Sequence, residues 1–402
     1  MAPPPGARAG LDTVPLDRMA RLLRQSDADL HRLFDAEEFR DAGNGPGRIG
    51  SLAARFAAKE ACCKLFPRET ALGTIEPMDF AVRNDPFGAP SIEPSPTART
   101  VLDRHRVERI RVSLSHTAEV ATAIAWTEPK AIDPPWYGRL IYNVLPLRRK
   151  IVLANLRRVF GDDLAEPEIR RLAQAFYGHY VRCFAELLGR PFLSSEKRKS
   201  WVRIENLESP VEAHKQGKGI ILLTGHFGNW EMATVAGIGQ LSQYKGLLHF
   251  VRRPLKPEIL DRFVTARFRN AGFGVLGRRD SLEEILDLLS GGAIVVIVFD
   301  QHAGGRRGIP VDFLGSPADT FKSLAILAMS TGAPVIPASS WREPDGSHVL
   351  RFEEPLQPIE DPDVGAAIRL NTRSYNEALE RMLLRHPEQW IWMHKRWKID
   401  GR

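Results

Sequence analysis

Residues 221–231 read ILLTGHFGNWE, and this stretch decides how the larger part of the chain is expected to fold. GIILLTG (219–225) is an apolar run of strand length, and NWEMATVAGIGQL (229–241) reads as the helix that follows it. In open α/β sheets, functional side chains gather at the carboxyl ends of the strands. His226 and Glu231 are five residues apart and would not share a helical face. We therefore expect His226 on the turn, with Glu231 reaching back to it from the first helical turn.

The surrounding sequence alternates between strand and helix signals. AIVVIVFD (293–300) and APVIPASS (333–340) are further strand candidates, whereas LEEILDLLSGG (282–292) and DTFKSLAILAMSTG (319–332) are helix candidates that end in glycine. Such alternation favours a mostly parallel sheet with flanking helices. Residues 137–402 are therefore predicted to form an α/β domain.

A second stretch, LAARFAAKEACCK (52–64), belongs to a different domain. It is rich in alanine and should be helical, and Glu60 and Lys64 then share a face. Asp12 lies in an extended segment, and His116 lies at a strand end in SLSHT (113–117). The sequence predicts an α+β domain over residues 10–127, after a disordered segment 1–9 and before a proline-rich linker 128–136. A surface Glu–Lys pair and a structural histidine are the alternative interpretations of these residues.

Composition narrows the class of protein. A chain of 402 residues suggests two or three domains, and the net charge of +7 falls entirely within residues 131–402. A basic surface can meet an acidic carrier protein, an anionic membrane or nucleic acid, but no nucleic-acid module is present, so we expect no nucleic-acid partner. Three cysteines without ligand spacing and no apolar run of spanning length indicate a cytoplasmic protein.

The first domain resembles holo-acyl-carrier-protein synthase, the small class of 4′-phosphopantetheinyl transferase, through RFAAKEAxxK and SLSHT. The resemblance implies a hotdog-like domain that forms a homotrimer and takes coenzyme A as substrate. It also implies that Asp12 and Glu60 share Mg²⁺, that Glu60 and Lys64 are catalytic, and that Lys64 holds phosphate or helps to deprotonate the carrier serine. His116 would support the site, and Arg18 would meet the acidic carrier protein. A plain surface position is the alternative for Arg18.

The second domain resembles the lauroyl/myristoyl acyltransferases of lipid A biosynthesis. Five blocks carry this resemblance: GHFGNWE, residues 251–272, residues 298–318, TGAPVIPAS (331–339) and HPEQWIWMHKRWK (386–398). It implies that His226 and Glu231 are the catalytic pair, with a substrate-binding site lined by Arg253, Asp300, Gln301, Phe313 and Gly315. The alternatives are that Arg253 caps a helix and that Phe313 and Leu314 belong to the core.

Residues 139–158 carry six basic and no acidic side chains among apolar ones, which is typical of an amphipathic helix at an anionic membrane surface. Packing of its apolar face on the domain is the alternative. We therefore expect a cytoplasmic enzyme associated peripherally with the inner face of the bacterial cell membrane. The C-terminal tryptophans could form an interfacial belt or belong to the core.

Together these features predict a bifunctional enzyme. It would load phosphopantetheine onto an acyl carrier protein and transfer an acyl group from a carrier thioester to a hydroxyl of a lipid or glycolipid, and tethering would raise the local concentration of the shared carrier. Two alternatives stay open. The first domain could be a degenerate module for trimerisation and carrier docking, or the whole chain could be a non-catalytic scaffold at the membrane.

Overall fold

A computed structural model of the chain describes residues 8–24, 30–31, 33–67, 71, 73–85, 87–145, 147–189, 201–229, 244, 246–252, 258–277 and 282–398. The chain divides into two units. The first extends to Ile132 and includes Phe160–Glu166, and the second consists of Asp133–Val159 and Pro167–Arg402.

The first unit is α+β, as the sequence predicts. In chain order its elements are β1 (Ala9–Pro15), α1 (Leu16–Leu22), α2 (Ala36–Ala42), α3 (Arg48–Cys63), β2 (Phe80–Asn84), β3 (Pro90–Pro94), α4 (Pro96–Arg104), β4 (Val107–His116) and β5 (Val120–Pro129). Strands β1, β5 and β4 form an antiparallel sheet in that order, and β2 pairs with β3 in a separate hairpin.

Helix α3 lies at the centre of the first core. Its buried side chains are mostly small, among them Ala53, Ala57 and Ala61, which allows the helix to pack close to the sheet. Lys59 and Glu38 are fully buried beside it and form an ion pair of 2.7 Å. Burial lowers the pKa of Lys59, and the charge and hydrogen bond of Glu38 oppose that effect. The alanine-rich sequence thus encodes a helix that is buried on most sides.

The second unit begins with helices and continues as alternating strands and helices. Its elements are α5 (Trp136–Val144), α6 (Arg149–Phe160), α7 (Glu166–Gly189), β6 (Val202–Glu205), α8 (Glu208–His214), β7 (Ile220–Thr224), β8 (Leu248–Arg252), α9 (Glu258–Asn270), β9 (Gly274–Gly277), α10 (Leu282–Ser290), β10 (Ile294–Val298), β11 (Gly308–Phe313), β12 (Ser316–Phe321), α11 (Ser323–Thr331), β13 (Val335–Arg342), β14 (His348–Phe352) and α12 (Val364–Arg385).

Seven of these strands form the main sheet, in the order β6-β14-β13-β7-β10-β8-β9. Only the β13–β14 pair is antiparallel, so the sheet is mostly parallel, as predicted. Strands β7 and β10 are neighbours, and Thr224 pairs with Val298. The loops that follow these two strands therefore begin at the same edge of the sheet.

Two expectations about helices are wrong. The single amphipathic helix over 139–158 is two helices, α5 and α6, because Leu145 precedes Pro146 and has an extended backbone, with φ −105° and ψ 107°. The helix predicted from Asp319 begins only at Ser323, because Asp319–Phe321 pairs with β11 as the end of β12.

Within the part of the chain that the structure describes, no helix is both long enough and apolar enough to span a bilayer.

Candidate functional site

His226 lies on the turn that follows β7, where the sequence places it. The turn requires its two glycines. A Cβ at Gly225 would lie 2.9 Å from Asp300 Oδ2. Gly228 has φ +56°, and a Cβ there would lie 2.5 Å from the Ser340 carbonyl oxygen. Larger residues at either position would push the turn away from its neighbours. The GHFG sequence thus sets the position of the His226 side chain.

Asp300 lies directly behind His226. Its Oδ1 is 2.9 Å from His226 Nδ1, and its Oδ2 accepts the backbone N–H of His226 at 2.7 Å. The carboxylate is fully buried. We expected Asp300 to line the substrate site, but its position behind the ring is that of a residue that orients the histidine.

The environment of Asp300 keeps the carboxylate ionised. Burial alone would raise its pKa, but the charge of His226 and the hydrogen bonds from its ring and backbone outweigh burial and hold the pKa below the usual range. An ionised carboxylate can only accept hydrogen bonds, so His226 Nδ1 carries a hydrogen. In the neutral ring, Nε2 is then the basic nitrogen.

The C-terminal segment completes the surroundings of the histidine. Phe227 forms an antiparallel bridge with Trp390, and the indole N–H of Trp390 donates to Asp300 Oδ2 at 2.8 Å. The His394 ring lies 5.2 Å from the His226 ring between centroids. Burial lowers the pKa of His394, which favours its neutral form. Trp390 and Trp392 are fully buried, so these tryptophans belong to the core and form no interfacial belt.

An apolar cavity of about 160 Å³ opens beside His226. One wall comes from α7, whose Phe176, Tyr180, Phe184 and Leu187 follow helical spacing, and the other includes Trp390 and Ile391. Such a lining suits a hydrocarbon chain and excludes water. His226 therefore borders a space lined mainly by apolar side chains.

A buried polar network supports the turn from the other side. Arg342 donates to both carboxylate oxygens of Glu186 at 2.7 Å, and Glu186 accepts from Asn229 at 2.9 Å. His179 Nε2 lies 3.2 Å from the Gly228 carbonyl, which can only accept, so Nε2 carries the hydrogen and Nδ1 accepts from Arg342. Burial and the charge of Arg342 lower the pKa of His179 to about 3. These contacts link α7 and β13 to the residues that flank His226.

The other predicted residues of this site lie in different places. Gln301 follows Asp300 and is half-buried. Phe313 is fully buried against Trp390 and Trp397, which supports its core interpretation, and Gly315 is exposed in the β11–β12 turn. Neither Phe313 nor Gly315 lines the cavity beside His226. Glu231 and Arg253 lie outside the described residues.

In the first unit, four predicted residues lie together near the C-terminal end of α3. Lys64 Nζ lies 2.6 Å from Asp12 Oδ1 and donates to the Leu11 carbonyl at 3.1 Å. Burial, and then the charge of Asp12, raise the pKa of Glu60, so the two carboxylates are close enough to repel. Arg18 contributes a smaller, opposing effect on the same pKa and lies 5.9 Å from the Phe56 ring. Asp12, Glu60, Lys64 and Arg18 therefore form one cluster.

His116 is not part of that cluster within one chain. Its ring lies against Gly50, where an added Cβ would be 2.8 Å from Cδ2. Gly50 and Glu60 are ten residues apart on α3, which corresponds to ~15 Å along a helix. Among the described residues no group of three or more His, Cys, Asp or Glu side chains could hold a metal ion.

Two family models match the chain, one over each unit. Residues 135–399 match the family model of bacterial lipid A biosynthesis acyltransferases. The chain belongs to this family. Residues 8–125 match the 4′-phosphopantetheinyl transferase superfamily, so the chain is a fusion of a phosphopantetheinyl transferase unit and an acyltransferase unit.

Individual relatives fall into the same two groups. The acyltransferase unit is similar to phosphatidylinositol mannoside acyltransferase of Mycobacterium tuberculosis, with 30% identity over 255 residues, 61% of this chain and 76% of that protein. It is also similar to lipid A biosynthesis lauroyltransferase of Escherichia coli, with 25% identity over 265 residues, 65% of this chain and 82% of that protein. The phosphopantetheinyl transferase unit (hereafter the transferase unit) is similar to holo-[acyl-carrier-protein] synthase of Syntrophus aciditrophicus, with 32% identity over 120 residues, 30% of this chain and 93% of that protein.

Sequence reasoning missed several contributors to the acyltransferase site. It gave no role to His394, to the Trp390 indole or to the α7 wall of the cavity, and it assigned Asp300 to substrate. One signal could have found the Asp300 role. IVVIVFD and ILLTGH are both buried strands that end in a polar residue, and parallel neighbours bring such residues together.

Proposed function

We propose that the chain is a bifunctional enzyme that transfers 4′-phosphopantetheine to an acyl carrier protein and transfers a fatty acyl group from an acyl-carrier thioester to a lipid hydroxyl. The observation that carries the second activity is the buried Asp300 carboxylate behind His226, at the mouth of an apolar cavity. The cluster of Asp12, Glu60 and Lys64 supports the first activity.

In acyl transfer, His226 Nε2 removes the proton of the acceptor hydroxyl. The oxygen attacks the thioester carbonyl, the carbon–sulfur bond breaks, and the leaving thiolate takes the proton from the imidazolium. Asp300 holds the ring in position and stabilises its positive charge during the reaction. Glu231 stays a candidate second carboxylate from the same motif. No covalent enzyme intermediate is needed.

The acyl acceptor is proposed to be a hydroxyl group of an anionic glycolipid. The relatives of the acyltransferase unit are named for phosphatidylinositol mannoside and for lipid A, both of which are glycolipids. The acyl chain would occupy the cavity between α7 and Trp390. An acyl-carrier protein as donor is consistent with the transferase unit on the same chain.

For phosphopantetheine transfer, Asp12 and Glu60 would hold Mg²⁺. Burial and the charge of Asp12 raise the pKa of Glu60, and two hard carboxylates, with substrate oxygens and water, suit this ion. The ion, when bound, would neutralise charge on the coenzyme A pyrophosphate. Lys64 binds a phosphate oxygen of coenzyme A or helps to deprotonate the carrier serine. The serine oxygen attacks the β-phosphate, and 3′,5′-ADP leaves.

A homotrimer is consistent with two features of the transferase unit. The outer face of its antiparallel sheet exposes Leu11, Ile124 and Trp126, and Leu11 pairs directly with Ile124 across the strands. Apolar side chains grouped on an exposed sheet face favour association. His116 and Arg18 could then contribute to a site shared between subunits, because His116 lies far from Glu60 in its own chain.

Peripheral contact with the inner face of the bacterial membrane is supported by α5. Its Trp136, Leu140 and Val144 are exposed at a spacing of four, so they form one stripe, and Leu145 and Leu147 extend it. Basic residues follow at once in α6. Aromatic and aliphatic side chains next to cations suit a cytoplasmic leaflet with anionic lipids.

Mass spectrometry of apo-acyl carrier protein, incubated with coenzyme A, Mg²⁺ and the full chain, tests the first activity. The expected result is the gain of one phosphopantetheine, which Glu60→Ala abolishes. If no carrier protein gains the group, the first unit is a docking or assembly module and this part of the proposal is wrong.

Transfer of acyl chains from a radiolabelled acyl-carrier protein to extracted anionic glycolipids tests the second activity. His226→Ala should abolish transfer, whereas His214→Ala, which changes a histidine bound to the Gly292 carbonyl in the same unit, should retain it. Absence of transfer by the wild-type protein would favour the scaffold interpretation, whereas full transfer by the His226→Ala protein would show that another group removes the proton. Parallel Glu231→Gln and Asp300→Asn variants show which carboxylate the histidine depends on.

A further inference from the structure

A second cavity lies between α6 and the C-terminal segment of the acyltransferase unit. Its volume is about 320 Å³. The side chains that define it are Lys150, Asn155, Arg158, Lys395, Trp397 and Lys398. Four of these six are cationic, and none of the residues that line the cavity is acidic. Such a pocket attracts anions.

Three of the four cations of this pocket have no carboxylate partner among the residues that the structure describes. Lys150, Arg158 and Lys395 are exposed, and none of them forms an ion pair with a residue that the structure describes. Elsewhere in the unit the pattern is different, since Arg342 pairs with Glu186 and Arg373 pairs with Glu380. Unpaired cations around a concavity are a feature of sites that receive an external anion.

The floor of the pocket is rigid. Asn155 is buried, and its amide donates to the carbonyls of Trp392 and His394 at 2.8 Å each. The Trp397 indole donates to the Phe313 carbonyl at 3.0 Å. Lys150 and Arg158 are eight residues apart on α6, so they project from the same side of the helix. The cations are therefore presented from ordered backbone on two segments.

The pocket is connected to the acyl-transfer site through one peptide. Lys395 follows His394, whose ring lies 5.2 Å from the His226 ring. A substrate that extends from Lys395 past the His394 ring would reach the reacting histidine. Both substrates of the proposed reaction carry phosphate esters, one in the phosphopantetheine arm of the donor and one in an anionic acceptor lipid.

We propose that this pocket, lined by Lys150, Arg158, Lys395 and Lys398, binds a phosphate ester of a substrate of the acyl-transfer reaction. The identity of the substrates rests on the proposed function, but the binding of phosphate does not require the reaction to occur. Lysine and arginine contact phosphate oxygens through charge-assisted hydrogen bonds, which are stronger than neutral ones. The site would fix the distance between the phosphate and the atom that receives or carries the acyl group, which is the hydroxyl oxygen of the acceptor or the thiol sulfur of the donor.

Isothermal titration of the full chain tests the proposal with two phosphate probes, 4′-phosphopantetheine and dihexanoyl phosphatidylinositol, and with pantetheine as the probe that lacks phosphate. The variant Lys150→Gln/Lys395→Gln should weaken binding of at least one phosphate probe about tenfold or more, which corresponds to about 1.4 kcal/mol. Lys215→Gln, an exposed lysine on another surface of the unit, is the matched control and should bind as wild type does. Because Lys150 and Lys395 lie in the acyltransferase unit, binding at the phosphopantetheinyl transferase unit should be unchanged, and the difference between proteins then reports this pocket.

The probes distinguish the two sources. Loss with 4′-phosphopantetheine identifies the donor arm, and loss with dihexanoyl phosphatidylinositol identifies the acceptor. The proposal is wrong if both probes bind the double variant as they bind wild type. A second outcome would also overturn the proposal: apo-acyl carrier protein, which lacks the phosphopantetheine arm, binds the variant more weakly, but both phosphate probes bind it as they bind wild type. The pocket would then be a docking site for carboxylates of the carrier protein. His226→Ala should retain phosphate binding, so failure of acyl transfer and failure of this proposal are separable.

Discussion

The indole N–H of Trp390 donates to Asp300 Oδ2 at 2.8 Å, while Asp300 Oδ1 lies 2.9 Å from His226 Nδ1. A tryptophan from the C-terminal segment therefore fixes the carboxylate that orients the histidine. Both Trp390 and Asp300 are fully buried, so no water replaces either contact. The C-terminal segment is thus part of the acyltransferase site, although it lies 164 residues after His226 in the sequence.

Trp390→Phe should lower the rate of acyl transfer about 10-fold to 100-fold, because the substitution leaves a buried carboxylate oxygen without one donor, at a cost of about 1–3 kcal/mol. Steady-state kinetics of acyl transfer provide the measurement. Trp201→Phe, which removes an indole N–H that donates to the Gly346 carbonyl at 2.9 Å, is the matched control and should have little effect. Equal losses in the two variants would indicate general destabilisation.

Asp300→Asn should lower the rate constant of acyl transfer about 10³-fold or more, because an amide that donates to Nδ1 favours the wrong tautomer of His226. The melting temperature should be measured alongside, since a folded but inactive variant separates catalysis from stability. A loss of less than tenfold would show that another group, such as Glu231, orients the ring.

His179 should make the acyltransferase unit sensitive to acid. The folded unit protonates His179 only near pH 3, whereas the unfolded chain does so near the usual histidine pKa of 6.5, so unfolding takes up a proton in this window. The free energy of unfolding should therefore be full above pH 6.5 and fall as the pH drops from 6.5 towards 3. Burial lowers the pKa of His394 as well, which adds an effect of the same sign.

His179→Gln should reduce this slope by up to ~1.4 kcal/mol per pH unit between pH 6.5 and 4.5. Urea unfolding followed by tryptophan fluorescence is a suitable measurement, because seven of the eight tryptophans lie in the acyltransferase unit. The comparison ends at pH 4.5 because Asp300 and Glu186 also have lowered pKa values, so they contribute to the slope of the free energy of unfolding below that pH. A parallel shift of the curve without a change in slope would contradict the prediction.

Ile124→Asp should dissociate the proposed trimer, because it places a charge on the exposed apolar face of the β1-β5-β4 sheet. Analytical ultracentrifugation should show a monomer, and phosphopantetheine transfer should fall with it. Phe87→Asp is the control, since Phe87 is 96% exposed in the β2–β3 turn and lies outside this face. Sedimentation of both variants like wild type would place the subunit contact elsewhere.

Local signals in the sequence were sufficient for much of the architecture. The alternation of buried strands and helices predicted the mostly parallel sheet, and alanine-rich α3 was recognisable from its composition. Prediction was wrong where long-range pairing competed with helical pattern, as at Asp319–Phe321, which pairs with β11. It also failed at Leu145, where the effect of the following Pro146 was overlooked.

That two families meet on one chain, and that His226 ends a buried strand, could be predicted from the sequence, since motifs and strand periodicity are local properties of the chain. The folded chain was needed to find Asp300 and Trp390 behind His226, α7 as a wall of the cavity, and Lys150 and Lys395 in one pocket. These residues are separated by tens to hundreds of positions. Their contacts depend on strand order and on the path of the C-terminal segment, which no local pattern of apolar and polar residues encodes.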